Sequence, residues 1–526
     1  MSESAQVNSY DEVPYQSIPY PQSHPDRLAT IASLFGLRPQ PIDRCRVLEL
    51  GCASGGNILP MAERFPGSQF VGVDLSRRQV EMGRAILDQL QLENIELLHK
   101  NIMEVTPELG TFHYIICHGV FSWVPEDVQD KILEICSRQL EPNGIGYVSY
   151  NTYPGWRMRD MIRDMMCYHA LEYQKPEERA AQARTLLAFL AMAAPTDGDV
   201  YGAFLRQELE IIRRQADSFL LHEYLEEVNE PTYFRDFIDR AESAGLQYLA
   251  ETEFHTMSAS NFPPNVEATL RQVAQDIIQM EQYMDFVRNR TFRQTLLCHA
   301  DRQIDRRLLP QYLVGLKVSS SLRPEPGGAK NESSEPLTFF GGQVRLTTSD
   351  PLLKTAFRCL SEACPDWVSF EALAQQARAR LPRAVDEDPA NVQRDGDRLG
   401  EVLIQCYGKG AIDLHCADQP FVGRISDYPR VDAVVRLQAR MGPMVTNRLH
   451  SLVRLDDASR RVAQLLDGRH DEQAIVAALR SMADHDQHFV PSNPQAAGVY
   501  GATQEVLSVD ARKSLEILAS GSLLIA

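Results

Sequence analysis

The sequence predicts an α/β fold built on a largely parallel sheet, followed by helical and winged-helix-like modules. Three observations carry that reading. Residues 46–50 (RVLEL) are a short apolar run ending in an acid, followed by a glycine-rich turn and the helically spaced NILPMAERF. Strand, glycine turn and helix in that order open a nucleotide-binding βαβ unit. A second apolar run, QFVGVDLS at 69–76, closes on Asp74, and further strand signals at 95–105, 112–125 and 140–151 complete five in the order such a sheet requires.

The turn reads Glu49-x-Gly51-x-Ala53-x-Gly55-Gly56, with Asn57 next. Glycine suits it because a Cβ would block approach of a ligand to the backbone. The spacing departs from the GxGxxG dinucleotide fingerprint. It resembles motif I of class I S-adenosylmethionine (SAM) methyltransferases, [D/E]xGxGxG, with Ala53 at a glycine position. A carboxylate at Asp74, followed by Leu75, can accept both ribose hydroxyls. The alternative is that Asp74 caps the next helix, a task Ser76 can also perform. Asn101–Ile102 stands where such enzymes carry an acid and an apolar residue for the adenine amine and ring, and His113 replaces a common Asp at the start of the fourth strand. That strand leaves its sheet at His118–Gly119.

Beyond the carboxyl ends of the strands, Trp123 follows the fourth strand, and Asn151, Thr152, Tyr153 and Trp156 follow the fifth. No NPPY-type motif follows the fourth strand, which argues against methylation of a base or an amide side chain. Aromatic loops suit an amine with a hydrocarbon stem, or else plug the top of the sheet. Trp123, Asn151 and Tyr153 are the candidate catalytic residues, with Tyr153 relaying a proton to water. The candidates for SAM are Glu49, Gly51, Ala53, Asn57, Asp74, Leu75, Asn101, Ile102, His118 and Gly119.

Ahead of the sheet, an arm carries Tyr10, Tyr15 and Tyr20 among prolines before a helix at 27–36, either as a lid over the cofactor or as a packed tail. The arm YDEVPYxS…HPxRLAxxAxLFGL, the turn VLELGCASGGN, YIICHGVFSWVP and NGIGYVSYNTYPGW together resemble the bacterial methyltransferases that carry a methyltransferase regulatory domain. Rickettsial protein-lysine methyltransferases that modify an outer-membrane protein are among them. The resemblance is sharp over 9–160 and looser through 223–254. It implies a Rossmann-like class I methyltransferase sheet, helical and winged-helix-like modules, and lysine Nε-methylation by direct displacement. Lysine's pKa of about 10.4 means that such a site must favour loss of the amine proton.

The expected organisation is a SAM-binding domain with its lid arm at 1–160, a helical insert at 161–218 that is a possible dimer seam, and a regulatory segment at 219–318. A Ser/Pro/Gly linker at 319–345, a winged-helix-like module at 346–420 and a helical unit at 421–526 follow. Residues 265–316 read as mainly helical. Whether the helix–Gly245–strand unit near 232–254 completes the sheet stays open.

A net charge of -18 and no basic block argue against nucleic acid as a partner. The acidity either attracts a lysine-rich protein substrate or simply maintains solubility. No apolar run reaches the ~18 residues of a membrane span, and the N-terminus lacks the pattern of a secretory signal. Ten scattered cysteines without a CxxC pair predict a reduced, cytoplasmic protein with no metal. Methylation of a small-molecule amine or hydroxyl, and a SAM-binding regulator without turnover, are the rival functions.

Overall fold

A computed structural model describes residues 9–195, 198–330, 333–342, 344–381, 388–485 and 504–526. Residues 1–8, parts of the expected linker (331–332 and 343) and 486–503 of the C-terminal unit lie outside it. Seven strands form the central sheet: β1 (Arg46–Leu50), β2 (Gln69–Asp74), β3 (Ile95–His99), β4 (Phe112–Cys117), β5 (Leu140–Asn151), β6 (Leu246–Glu251) and β7 (Phe292–His299). Their order is β3-β2-β1-β4-β5-β7-β6, with β7 antiparallel to both of its neighbours.

Alternation along the strands divides the core between the two faces. Val47, Tyr114, Ile116 and Tyr147 pack on one side, with helices α2 (Pro25–Leu34), α3 (Ile58–Arg64) and α4 (Arg77–Leu90). A four-residue helix, α1 (Ser9–Glu12), lies in the arm ahead of them. Leu48, Leu50, Ile115 and Val148 face α5 (Glu126–Gln139) on the other side.

Between β5 and β6 the chain builds a four-helix unit, α6 (Trp156–Ala170), α7 (Pro176–Ala193), α8 (Val200–Ile212) and α9 (Asp217–Tyr224), around Ile162, Met166, Leu187 and Leu205. α10 (Phe234–Ser243) then returns to the second face of the sheet through Phe234 and Phe237.

The regulatory segment therefore completes the sheet. The stretch read as helical contains α11 (Pro264–Val273), α12 (Ile277–Arg288) and then β7, which lies inside the sheet between β5 and β6. Arg293 disguises that strand. Its guanidinium is fully buried, with Nη1 donating to Glu251 at 2.8 Å, Nε to Asp285 at 2.7 Å and Nη2 to Glu281 at 3.1 Å. A charge is tolerated mid-sheet because carboxylates from β6 and α12 surround it.

The expected linker also carries structure. Arg323–Pro324, Leu337–Gly341 and Val344–Thr348 form a small antiparallel sheet. The buried Lys354 donates to the carbonyls of Lys330, Ser333 and Glu335 and ties this polar stretch to α13 (Pro351–Ala363). α13, α14 (Phe370–Ala379) and α15 (Pro389–Tyr407) share one continuous core with the first face of the main sheet. This module docks on α2. Asp26 accepts from the Ala417 amide at 2.6 Å and pairs with His415 at 3.2 Å, and Trp367 stacks on His415.

The C-terminal unit has its own core around α16 (Ala433–Met441), α17 (Asp457–Leu465), α18 (Glu472–His485) and a last helix at Gln504–Ser520. It also has an antiparallel hairpin, Met444–Thr446 with Leu452–Arg454. Among the described residues no helix is long and apolar enough to cross a membrane.

Candidate functional site

The glycine turn is held by its neighbours strand by strand. The Gly51 and Cys52 amides donate to the Val73 carbonyl at 2.8 and 3.1 Å, so β1 and β2 stay paired into the turn. Gly51 has φ +75°, and a Cβ there would lie 2.3 Å from Val120 Cγ2. Ala53 occupies the left-handed region at φ +49° without being glycine. That conformation costs about 1–2 kcal/mol, offset by the Ala53 amide donating to Asp74 Oδ2 at 2.7 Å. Gly56 serves the arm: a Cβ would sit 2.4 Å from the Ser17 carbonyl oxygen, and its amide donates to Ser17 Oγ at 2.7 Å.

Asp74 is not the cap of α4. Ser76 Oγ takes that role, accepting from the Gln79 amide at 3.1 Å, while Asp74 Oδ1 accepts from the Ser76 amide at 2.8 Å. Burial raises the Asp74 carboxyl above its ordinary value, and the two amide bonds oppose the rise.

Glu49 is also buried. Its Oε1 accepts from Asn57 Nδ2 at 2.7 Å, whereas Oε2 has no hydrogen-bond partner. Burial, with Asp74 adding to it, pushes Glu49 up to about 8 despite the Asn57 bond. A buried carboxylate oxygen without a partner is costly and invites a donor.

These groups share one cavity of about 680 Å³, within the range typical of small-molecule sites. It gathers Glu49, Gly51, Ala53, Asn57, Asp74, Leu75, Asn101, Ile102, His118 and Gly119, together with Trp123 and Asn151. Leu75 is 54% exposed, an apolar side chain that a bound nucleoside would cover. Asn101 Oδ1 is engaged locally, accepting from the Met103 amide at 2.9 Å. His118 shares a 2.7 Å hydrogen bond with Tyr147, and burial lowers it to about 3, so its ring is neutral. The unsatisfied Glu49 oxygen, the Asp74 carboxylate and the cavity's size fit a nucleoside that carries amine and hydroxyl donors.

Tyr153, unlike the other candidates, does not line this cavity. Its hydroxyl donates to Asp160 at 3.1 Å, and its ring is covered by the Arg157 guanidinium at 3.6 Å. Trp123 and Asn151 do line it. Trp123 meets Trp156 edge-on at 6.3 Å, and Asn151 Nδ2 donates to Asn229 at 3.0 Å. His113 lies outside as well: its Nδ1 accepts from the Arg46 amide at 2.9 Å and caps the start of β1.

The arm closes one side. Tyr20 packs on His118 at 3.8 Å, Tyr10 stacks on His222 at 4.6 Å, and Gln79 Nε2 donates to the Tyr15 carbonyl at 2.9 Å.

The helical unit supplies residues that motif reading missed: Phe219, His222 and Glu223 of α9, and Arg159 of α6. Burial pushes Glu223 up to about 6, with Arg159 and His222 opposing. No motif marks them, because they enter the site from an insert whose helical spacing looks like ordinary core.

Comparison with known proteins agrees with this geometry. The family described as "Methyltransferase domain" matches residues 47–144, and "Predicted methyltransferase regulatory domain" matches 216–299. "PKMT, C-terminal winged helix domain" matches 427–523. The winged helix thus falls on the unit read as helical, because each hairpin strand is only three residues long and leaves little alternation to detect. An uncharacterised protein of Rickettsia prowazekii is 37% identical over 484 residues, spanning 90% of this chain and 86% of its own. A second from that organism is 42% identical over 241 residues, spanning 46% of this chain and 96% of its own. The structure of PKMT2 from Rickettsia typhi in complex with AdoHcy superposes with a TM-score of 0.84 at 31% identity, covering 98% of this chain and all of that one. The chain therefore belongs to the PKMT family of methyltransferases.

Proposed function

We propose that the protein uses SAM to methylate lysine Nε of a protein substrate. The observation that carries this reading is one cavity lined by two acids at strand ends, Glu49 and Asp74, by a third, Glu223, and by the aromatic side chains of Trp123 and Phe219. The complex of the PKMT2 relative with AdoHcy supports SAM as the donor.

Bound SAM supplies an activated methyl group on a sulfonium. Asp74 holds hydroxyl donors, Glu49 Oε2 accepts from an amine, and Asn101 with Ile102 borders the base. On the acceptor side, Trp123 and Phe219 cover the methylene stem of a lysine and exclude water, which favours the neutral amine. Glu223 orients that amine and takes up its proton. Because the carboxylate is the working form, turnover is lost as pH falls through about 6.

The test is methyl-labelled SAM with the purified chain and its own cell lysate, followed by mass spectrometry of labelled bands. Label on lysine is expected. Label confined to small molecules, or no label despite SAM binding, would favour one of the two rival functions. Glu223→Gln is expected to lower kcat ~100-fold, the scale of a general-base contribution, while leaving SAM affinity unchanged.

The finer reading is a cytoplasmic enzyme, acting as a homodimer on a lysine-bearing outer-membrane protein. The net charge of -18 favours a cationic partner. The helical unit exposes Phe189 and Met192 of α7, the latter 77% exposed, and this pair is the dimer face of the reading. Phe189→Glu with Met192→Glu should give a monomer by sedimentation, and an unchanged species would remove this face.

A further inference from the structure

A side chain of the C-terminal winged helix touches Asn57, one of the residues that line the donor cavity. His450 sits in the hairpin turn between Met444–Thr446 and Leu452–Arg454, at φ +60°. Asn447 Oδ1 fixes that turn by accepting from the Leu449 and Ser451 amides at 3.1 and 2.8 Å. The hairpin is anchored on α3, the helix that leaves the glycine turn. Arg64 donates to Asp432 at 2.9 Å and to the Thr446 carbonyl at 3.1 Å, and Glu63 accepts from the Ala433 and Val434 amides. Arg64 and Asp432 are almost completely buried, so the docking is a built interface.

From this seat, His450 Nε2 reaches Asn57 Oδ1 at 2.8 Å. Every hydrogen-bonding position of the Asn57 amide is then used. Oδ1 also accepts from the Tyr20 amide at 2.9 Å, and Nδ2 donates to Ser23 Oγ at 3.0 Å and Glu49 Oε1 at 2.7 Å. Only one amide orientation satisfies all four. The reversed amide would set its oxygen against the Glu49 carboxylate and its NH2 against the Tyr20 N–H. His450 must therefore donate from Nε2, leaving Nδ1, which has no partner, as the bare nitrogen.

We infer that His450 is a positioning residue of the methyl-donor site: by locking the Asn57 amide, it holds Glu49 with one oxygen bound and the other free for the donor's amine. This rests on the donor-site reading above. It assigns the hairpin of a winged helix to the chain's own cofactor turn, across 393 residues of sequence. The titratable groups facing Glu49 are Asp74, which raises it, with Cys52, Cys117 and Tyr20. His450 itself stays neutral, because burial holds it well below its ordinary value, helped by His24 and Arg64.

The test is calorimetric titration of the full chain with S-adenosylhomocysteine across pH. In the wild type, affinity rises as Glu49 ionises, with a midpoint near 8. His450→Ala should weaken binding about ten-fold, the scale of one hydrogen bond. It should also move the midpoint upward, because a loosened Asn57 no longer stabilises the Glu49 carboxylate. His450→Gln, which keeps an Nε2–H donor, should restore both. Unchanged affinity and midpoint in His450→Ala would overturn the assignment, since lost packing alone lowers melting temperature without moving the midpoint. If that variant does not fold, the wild type carries the test by reciprocity: S-adenosylhomocysteine should slow amide exchange at 444–454, and unchanged exchange there would overturn it equally. A wild type that fails to bind S-adenosylhomocysteine defeats the donor-site reading and this inference together, whereas wild-type binding with an insensitive hairpin defeats this inference alone.

Discussion

Asp74→Ala should lower affinity for S-adenosylhomocysteine by about a hundred-fold or more. Two hydroxyl donors on an ionised acceptor contribute roughly 1.5–3 kcal/mol each, and each ~1.4 kcal/mol is ten-fold in binding. The side chain does a second task, since Oδ2 holds the Ala53 amide in a left-handed turn and Oδ1 holds the Ser76 amide. The alanine variant therefore also loosens the cradle that Glu49 shares. Asp74→Asn keeps one acceptor and should fall about ten-fold, between the two. The measurement is calorimetric titration at neutral pH, with the melting temperature of the unliganded chain as the control. Undiminished affinity in Asp74→Ala would remove the turn beyond β1 as the donor site.

Arg293→Met should be the most destabilising single change outside the site, by roughly 3–5 kcal/mol, the cost of leaving buried partners uncompensated. Glu251, Glu281 and Asp285 converge on the guanidinium, and Arg290 adds a 2.8 Å bond to Glu251. Burial alone would raise Glu251, but Arg293 and Arg290 outweigh it and hold that carboxyl below its ordinary value. Glu251 therefore adds stability above the ordinary carboxylate range, and that contribution is lost as pH falls through its lowered value. Burial keeps Glu281 and Asp285 raised, so they oppose this trend. In the methionine variant the three buried acids keep only Arg290 as a nearby cation, and the deficit should shrink as pH falls and they become neutral. Urea unfolding at neutral and acidic pH checks both parts. A loss under 1 kcal/mol would mean that Arg290 alone suffices.

Residues close together along the chain were the legible ones. The first five strands, the turn at Glu49–Asn57, Asp74 at its strand end and the arm before them were readable, because alternation, glycine punctuation and strand-end acids are local patterns. Twelve of the thirteen proposed site residues line one cavity, and Tyr153 does not. Its place in the loop was readable, but the direction of its side chain was set by Asp160 seven residues on. Gly56 was visible as part of a glycine turn, yet its reason is Ser17 of the arm.

By itself, then, the sequence determined the class of fold, the glycine-rich turn after the first strand and the acid at the second strand's end, all from short-range periodicity and the geometry that glycine permits. Tertiary structure alone decided that 246–299 complete the sheet, that Glu223 enters the cavity and that a C-terminal histidine reaches Asn57. Those three depend on charges and amides buried against partners 39 to 393 residues away along the chain. Such pairing leaves no periodic trace, because its energy comes from mutual desolvation that exists only once the elements have packed.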